Sequence, residues 1–321
     1  MGSHPTTFID KSVCYISLTH TFLSRMCSKG TYLLSTFRKQ NTSFSQLARK
    51  KKKAICDIIV LGFAEFLGTA LLLFLGCMGC VTSTDMVPVP HHLSGLIFGF
   101  VVLLIIQLLG HISGAHLNPA VTFSSAIRGQ IRPLLIPIYV FSQFMGALVG
   151  FRLLTTLLPE EFTTKEYFDH ATNQTVRTTD FCCTLVHAKL TWFQALVLET
   201  IITTVLVLVC WAVWDKRNED KTDSTAVRFG FVIAVLSMVA GPFTGASMNT
   251  ARSFAPALFN NNWDLHWVYW VGPNVGAVIG TYLYKWVFEN APEEDLNEDK
   301  LNNTEDIPLH ENNLDIKNII V

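Results

Sequence analysis

Gly114-Ala115-His116-Leu117-Asn118-Pro119-Ala120-Val121-Thr122-Phe123 and, 131 positions on, Gly245-Ala246-Ser247-Met248-Asn249-Thr250-Ala251-Arg252-Ser253-Phe254 are two versions of one segment. The glycine, first alanine, asparagine, second alanine and phenylalanine coincide position for position. Landmarks on either side keep the same register. Glu65 lies 53 residues before Asn118, and Glu199 lies 50 before Asn249. Gly146-Ala147 begins 28 residues after Asn118 and leads to Gly150; Gly276-Ala277 begins 27 after Asn249 and leads to Gly280. These spacings identify a duplicated unit. Within each copy the asparagine is a good helix N-cap, because its side-chain oxygen satisfies a free backbone N–H. Pro119 suits a first helical position. Each copy is therefore expected to contain a short helix that starts at the asparagine.

Outward from these segments the chain is strongly apolar. Half of its 321 residues are hydrophobic and 15% are charged, against about a quarter charged in ordinary soluble domains. The net charge of −1 argues against a polybasic nucleic-acid binder. Eight scattered cysteines do not make a disulfide scaffold. Six stretches are long enough to cross a bilayer, which takes about 20 residues. They lie between Asp57 and Asp85, from Leu93 towards Arg128, between Arg132 and Arg152, from Lys189 to Asp215, between Arg228 and Arg252, and between Asp264 and Lys285. The second and fifth stretches are too long for one helix. Their surplus pieces, which run through Ala126 and over Asn249–Phe259, are expected to enter the membrane without crossing it. Irregular backbone at that depth is tolerated only where it is buried or lines a water-filled cavity.

The unit therefore contains three spans and one half-helix. An odd number of spans makes the two copies insert with opposite orientation, and such inverted repeats share a site at the bilayer midplane. The expected class is an all-α membrane protein with six transmembrane helices and two re-entrant half-helices. Residues 1–53 form an N-terminal tail with a basic end. Residues 54–288 form the membrane domain: repeat 1 over about 54–155, a connection at 156–189, and repeat 2 over about 190–288. Residues 289–321 form an acidic, Asn-rich tail that reads as disordered. Arg49 and Lys50–Lys53, Arg128 and Arg132, and Lys216, Arg217, Lys221 and Arg228 all fall on one side. The positive-inside rule makes that side cytoplasmic and puts both termini there. The 156–189 connection is then extracellular, and Asn173-Gln174-Thr175 within it is an N-glycosylation acceptor.

Six spans, two half-helices and the run Ser113–Thr122 resemble the major intrinsic proteins, the aquaporins. Ala64-Glu65-Phe66-Leu67-Gly68-Thr69 and the run Thr244–Ala257 carry the same resemblance, which covers residues 54–288. It implies a passive path for water and small neutral solutes through a plasma-membrane homotetramer, with no cofactor, no metal and no catalysis. No Ser/His or paired-Asp constellation suggests an enzyme. It further implies that Gly114, Ala115, His116, Ser247 and Met248 line the path with backbone carbonyls. Asn118, Pro119 and Ala120 would meet Asn249, Thr250 and Ala251 at its centre. Half-helix N-termini each carry about half a positive charge; two of them facing one another orient a passing water, interrupt a proton chain and repel cations. Glu65 and Glu199 are acids within spans and need polar partners; unwound loop N–H groups are the expected ones.

The second box departs from Asn-Pro-Ala, since position 250 is threonine. By resemblance the outer filter falls on Phe98, Ser237, Ala246 and Arg252. Water-selective members usually place histidine where this chain has Ser237, so a wider filter that passes glycerol or urea is expected. That exchange resembles a glycerol-permeable insect branch of the family. Ser253, where glycerol facilitators usually carry aspartate, and the short interval between the boxes favour a strictly water-selective channel instead. A structural or adhesive protein of the same fold is a third reading. Cys77, Cys80 and Cys210 read as apolar filler, and a bridge between the adjacent Cys182 and Cys183 would be strained. Gly146, Gly150, Gly276 and Gly280 suit close helix packing.

Overall fold

The computed structural model describes residues 49, 52–81, 89–169, 174–178 and 180–289. The chain forms two compact units, residues 1–58 and 59–321, and the second holds everything discussed below apart from the opening turns of the first helix. Asn173, residues 1–48, 50 and 51 of the N-terminal tail and the C-terminal tail after Glu289 lie outside the described residues, whereas Lys52 and Lys53, expected in the tail, open the first helix.

The first helix, α1, is Lys52–Met78. The others are α2 (His91–Ser113), α3 (Pro119–Ile127), α4 (Leu135–Leu157), α5 (Trp192–Val213), α6 (Thr225–Thr244), α7 (Thr250–Asn260) and α8 (Val268–Leu283). Helices α1, α2, α4, α5 and α6 are long and apolar enough to cross a membrane, α6 together with the 3-10 turn of Lys216–Ser224 that leads into it. The sixth, α8, has 16 residues, about 24 Å at 1.5 Å per residue. It runs on as a π-helix over Tyr284–Glu289. The half-helices α3 and α7 have 9 and 11 residues, too few to span. The fold is thus the all-α inverted repeat, with α1–α4 matching α5–α8. A hairpin in the connection, β1 (Lys165–Asp169) antiparallel to β2 (Gln174–Thr178), has no counterpart in the sequence-based expectation.

Outward faces carry large apolar side chains. Phe141 is 68% exposed and Val239 65%. A helix apolar on its outer as well as its inner face belongs in lipid. Inside, the helices meet through glycine. A Cβ added at Gly146 would lie 2.2 Å from the Phe66 carbonyl oxygen, and one at Gly150 would lie 2.1 Å from that of Ala70. At Gly276 and Gly280 the corresponding distances to the carbonyls of Thr200 and Thr204 are 2.5 and 2.9 Å. The α1–α4 and α5–α8 pairs therefore pack backbone against backbone. Phe66 and Thr200 directly follow Glu65 and Glu199, so these glycines also set where the two acids sit.

One expectation needs correction. Cys77 is not apolar filler, for it forms a disulfide with Cys182 across 105 residues of sequence. Its partner lies in the connection, at a separation that helical periodicity says nothing about, and the adjacent Cys182–Cys183 pairing does not occur. At the opposite end, Asp215 accepts hydrogen bonds from Arg217 Nε at 2.9 Å and from the Tyr284 hydroxyl at 2.7 Å. The Arg217 hydrogen bonds hold its carboxyl well below the usual carboxylate range. A group shifted that way supports the fold above about pH 4 and loses its contribution only as the pH falls further.

Candidate functional site

Helices α2 and α6 stop at glycines in the left-handed region, Gly114 (φ 80°) and Gly245 (φ 78°). The chain then runs as a short irregular segment to the half-helix. Ala115, Leu117, Ala246 and Met248 also have positive φ, between 46° and 55°. Left-handed backbone costs a residue with a Cβ about 1–2 kcal/mol, so the surroundings must hold these four in place. The two acids do this in matching ways. The Glu65 carboxylate accepts from His116 N at 2.9 Å, Leu117 N at 2.8 Å, Ser113 Oγ at 2.7 Å and Gln143 Nε2 at 2.9 Å. The Glu199 carboxylate accepts from Ser247 N and Met248 N, both at 2.9 Å, and from Thr244 Oγ1 at 2.6 Å. Both acids are completely buried. Tyr139 and Tyr269 donate through their hydroxyls to the carbonyls of Ser113 and Thr244, each at 2.8 Å, and pin the start of each segment.

The segments deliver two asparagines to one place. Asn118 Oδ1 accepts from Ala120 N at 2.9 Å. Asn249 Oδ1 accepts from Ala251 N at 3.0 Å and Arg252 N at 3.2 Å. Each therefore caps its half-helix. The amides also cross-link the copies: Asn118 Nδ2 donates to the Met248 carbonyl and Asn249 Nδ2 to that of Leu117, both at 2.8 Å. A side-chain amide carries two hydrogens, so each asparagine keeps one beyond the cross-link. Both residues line a single cavity of about 1050 Å³. It reaches from Val89 and His91 at one end to Thr222, Asp223 and Thr225 at the other.

The two boxes differ in one exchange that the structure explains. Pro273 lies inside α8 and has no N–H to offer the carbonyl four residues before it. That carbonyl belongs to Tyr269, and the Thr250 hydroxyl donates to it at 3.0 Å. In the first copy position 119 is proline, and the counterpart of Pro273 is Gln143, whose amide reaches Glu65 and Thr122 instead. Thr250 thus serves the α7–α8 contact and is absent from the cavity wall. Thr250→Val leaves the Tyr269 carbonyl unmet, which costs about 1–3 kcal/mol for a buried acceptor. Thermal unfolding in detergent should show a lower midpoint while osmotic water permeability stays close to wild type; an unchanged midpoint would refute the role.

Phe98, half-buried Ser237, Ala246 and Arg252 all face the same cavity. The Arg252 guanidinium lies 4.8 Å from the centre of the Phe98 ring and donates through Nη1 to the Cys182 carbonyl at 2.7 Å. Gly114, Ala115, His116, Ser247 and Met248 line the cavity too, whereas Pro119, Ala120 and Ala251 are buried in helix packing behind it. Ser253 also points away, into a hydroxyl cluster where Thr184 Oγ1 donates to it at 2.7 Å and Ser247 Oγ contacts it. The parts played by Leu117, Gln143, Tyr139, Tyr269 and Cys182 were not expected from the sequence. The two tyrosines had a signal, since each follows its box asparagine by almost the same interval, 21 and 20 residues.

Comparison with known proteins agrees with this architecture. The family model described as major intrinsic protein matches residues 53–284. The chain is 37% identical to mouse aquaporin-4 over 228 residues, which are 70% of this chain and 66% of that one, so it spans just under two thirds of that relative's length. It is 36% identical to the sheep lens fiber major intrinsic protein over 227 residues, 70% of this chain and 80% of that one. Among solved structures, the aquaglyceroporin from Plasmodium falciparum superposes with a TM-score of 0.59 at 25% identity, over 72% of this chain and 96% of that one. With the family model matched over most of its length and two boxes meeting at one lumen, the chain belongs to the major intrinsic protein family.

Proposed function

We propose that the chain is a passive transmembrane channel for water and for small uncharged solutes such as glycerol and urea, and that it excludes protons and ions. The observation that carries this reading is the meeting of Asn118 and Asn249 in one cavity at the N-termini of α3 and α7. Each half-helix directs the positive end of its dipole into the lumen. A water at the centre takes hydrogen bonds from the two amides through its oxygen. It then cannot relay a proton between neighbours on either side, and a cation meets a positive potential. Arg252 adds a fixed positive charge at the level of Phe98. Peptide carbonyls of Gly114–His116 and Ala246–Met248 offer acceptors along the rest of the path.

Phe98, Ser237, Ala246 and Arg252 act as the selectivity filter in this reading. The small side chains at 237 and 246 leave room beside the Phe98 ring for a carbon backbone, while the guanidinium binds hydroxyl or carbonyl oxygens. A strictly water-selective channel is the second reading, favoured by Ser253 and by the 131-residue interval between the boxes. The similarity to a solved aquaglyceroporin supports the wider one. Residues 54–288 form the conducting domain of a multi-pass protein of the plasma membrane. Both tails face the cytoplasm, Asn173 lies outside and is available to glycosylation, and four copies assemble, each with its own lumen in the lipid bilayer. Nucleic acid has no part in it.

The test is stopped-flow swelling of proteoliposomes containing the full chain, with glycerol and urea uptake and proton flux measured on the same vesicles. Water permeability well above that of empty vesicles, with glycerol uptake and without proton leak, is the expected result. Water flux without glycerol or urea uptake supports the strictly selective reading. No flux above empty vesicles would overturn the channel reading and favour a structural or adhesive role.

A further inference from the structure

The end of α1 holds two consecutive residues that reach both sides of the Phe98–Arg252 level. Gly76 seats the Phe98 ring: an added Cβ would lie 2.4 Å from Phe98 Cε1. Cys77, fully buried, is bonded to Cys182. Cys182 in turn supplies the carbonyl that accepts from Arg252 Nη1 at 2.7 Å, and its sulfur lies 3.8 Å from Nη2. Its φ is +57°, a conformation that a residue with a Cβ adopts only when something holds it there. The preceding residue is anchored as well: the Phe181 carbonyl accepts from Asn260 Nδ2 at 2.9 Å, and its ring lies 6.0 Å from that of Phe151.

We propose that the Cys77–Cys182 disulfide is a positioning element of solute selection, deepening the channel reading on which it rests. The bond ties the left-handed Cys182 to the rigid end of α1 and so aims one carbonyl at the Arg252 guanidinium. That carbonyl, the Cys182 sulfur and the Phe98 face all meet the arginine head at its level. With the bond cut, Cys182 can return to negative φ and its carbonyl turns away from Nη1. The guanidinium then loses that carbonyl, samples more of the lumen, and presents its donors to a passing solute at no fixed distance. Water, with one oxygen to bind, depends on that distance less than glycerol or urea, whose several polar atoms must be met together.

The experiment uses the full chain in proteoliposomes, with the number of channels per vesicle counted. The variants are Cys77→Ser/Cys182→Ser, Arg252→Ala and all three changes combined. Removing the disulfide should shift the glycerol-to-water and urea-to-water permeability ratios by at least about threefold, within the range of coupling between contacting residues. In the Arg252→Ala background it should shift them no further, because its effect runs through the arginine. A bond that only stabilises the fold would lower all permeabilities in proportion and by the same factor in both backgrounds, and that result would overturn the proposal. If the double variant does not insert, the wild-type channel is treated in the vesicle with a water-soluble phosphine. Two thiols form as the phosphine becomes its oxide with an oxygen from water, and mass spectrometry after alkylation verifies the two thiols. Unchanged ratios in the reduced channel would likewise overturn it. Wild-type vesicles that pass no water at all would sink the channel reading itself, whereas a conducting wild type with unaltered ratios sinks this proposal alone.

Discussion

Glu65→Ala is expected to abolish nearly all water flux and to lower stability by at least about 3 kcal/mol, the sum of several unmet buried donors at about 1–3 kcal/mol each. The carboxylate takes four hydrogen bonds, two of them from the backbone N–H groups of His116 and Leu117. Alanine leaves all four donors without this acceptor. It also releases Ala115 and Leu117 from the left-handed backbone, and Leu117 carries the carbonyl that accepts from Asn249. The loss at one acid should therefore reach the asparagine of the other copy. Glu65→Gln keeps the shape and one acceptor oxygen but turns an NH₂ group toward backbone donors, so an intermediate loss is expected. The check is osmotic permeability per inserted channel together with the unfolding midpoint in detergent. A Glu65→Ala protein that inserts and conducts as wild type would refute the clamp. Glu199→Ala should behave alike, with Ser247, Met248 and Thr244 as the stranded donors.

Ser237→His should lower glycerol permeability by at least about tenfold, the low end of what a pocket achieves by steric fit alone, and lower water permeability far less. Position 237 lies on α6 where that helix packs on Gly95 of α2: a Cβ at Gly95 would come within 3.1 Å of the Ser237 carbonyl carbon. The backbone there cannot retreat, so an added imidazole must extend into the cavity that Ser237 lines, toward Phe98 and Arg252. The new ring narrows that level and supplies a donor a water can use. Glycerol and water fluxes measured on one vesicle preparation decide the matter. Glycerol uptake unchanged by the histidine would refute the filter assignment.

The two copies of the box, the acids upstream and the glycines downstream were all legible as local patterns or as a repeat. Bilayer length and the exclusion of unsatisfied backbone from lipid turn such patterns into helices with few alternatives. The hairpin of β1 and β2 was not legible, because its residues carry no hydrophobic alternation tied to the membrane core. Nor was the role of Thr250, which read as a departure from a motif. It makes sense only beside Pro273, 23 residues away on another helix, whose missing N–H leaves the Tyr269 carbonyl for it.

What the chain determined by its order of residues alone is the number of helices, their insertion as an inverted pair, and the asparagine caps of α3 and α7. Each follows from composition over about 20 residues or from a contact between near neighbours. What only the tertiary structure decided is which groups hold the lumen in shape. The amides of Asn118 and Asn249 cross to carbonyls 130 and 132 positions distant, and Cys77 reaches Cys182 over 105. Four ordinary residues take a left-handed backbone that no propensity predicts. Contacts at such separations depend on how finished helices pack. The energy that keeps alanine, leucine and methionine in that conformation comes from partners elsewhere in the chain, so it leaves no mark on the residues that bear it.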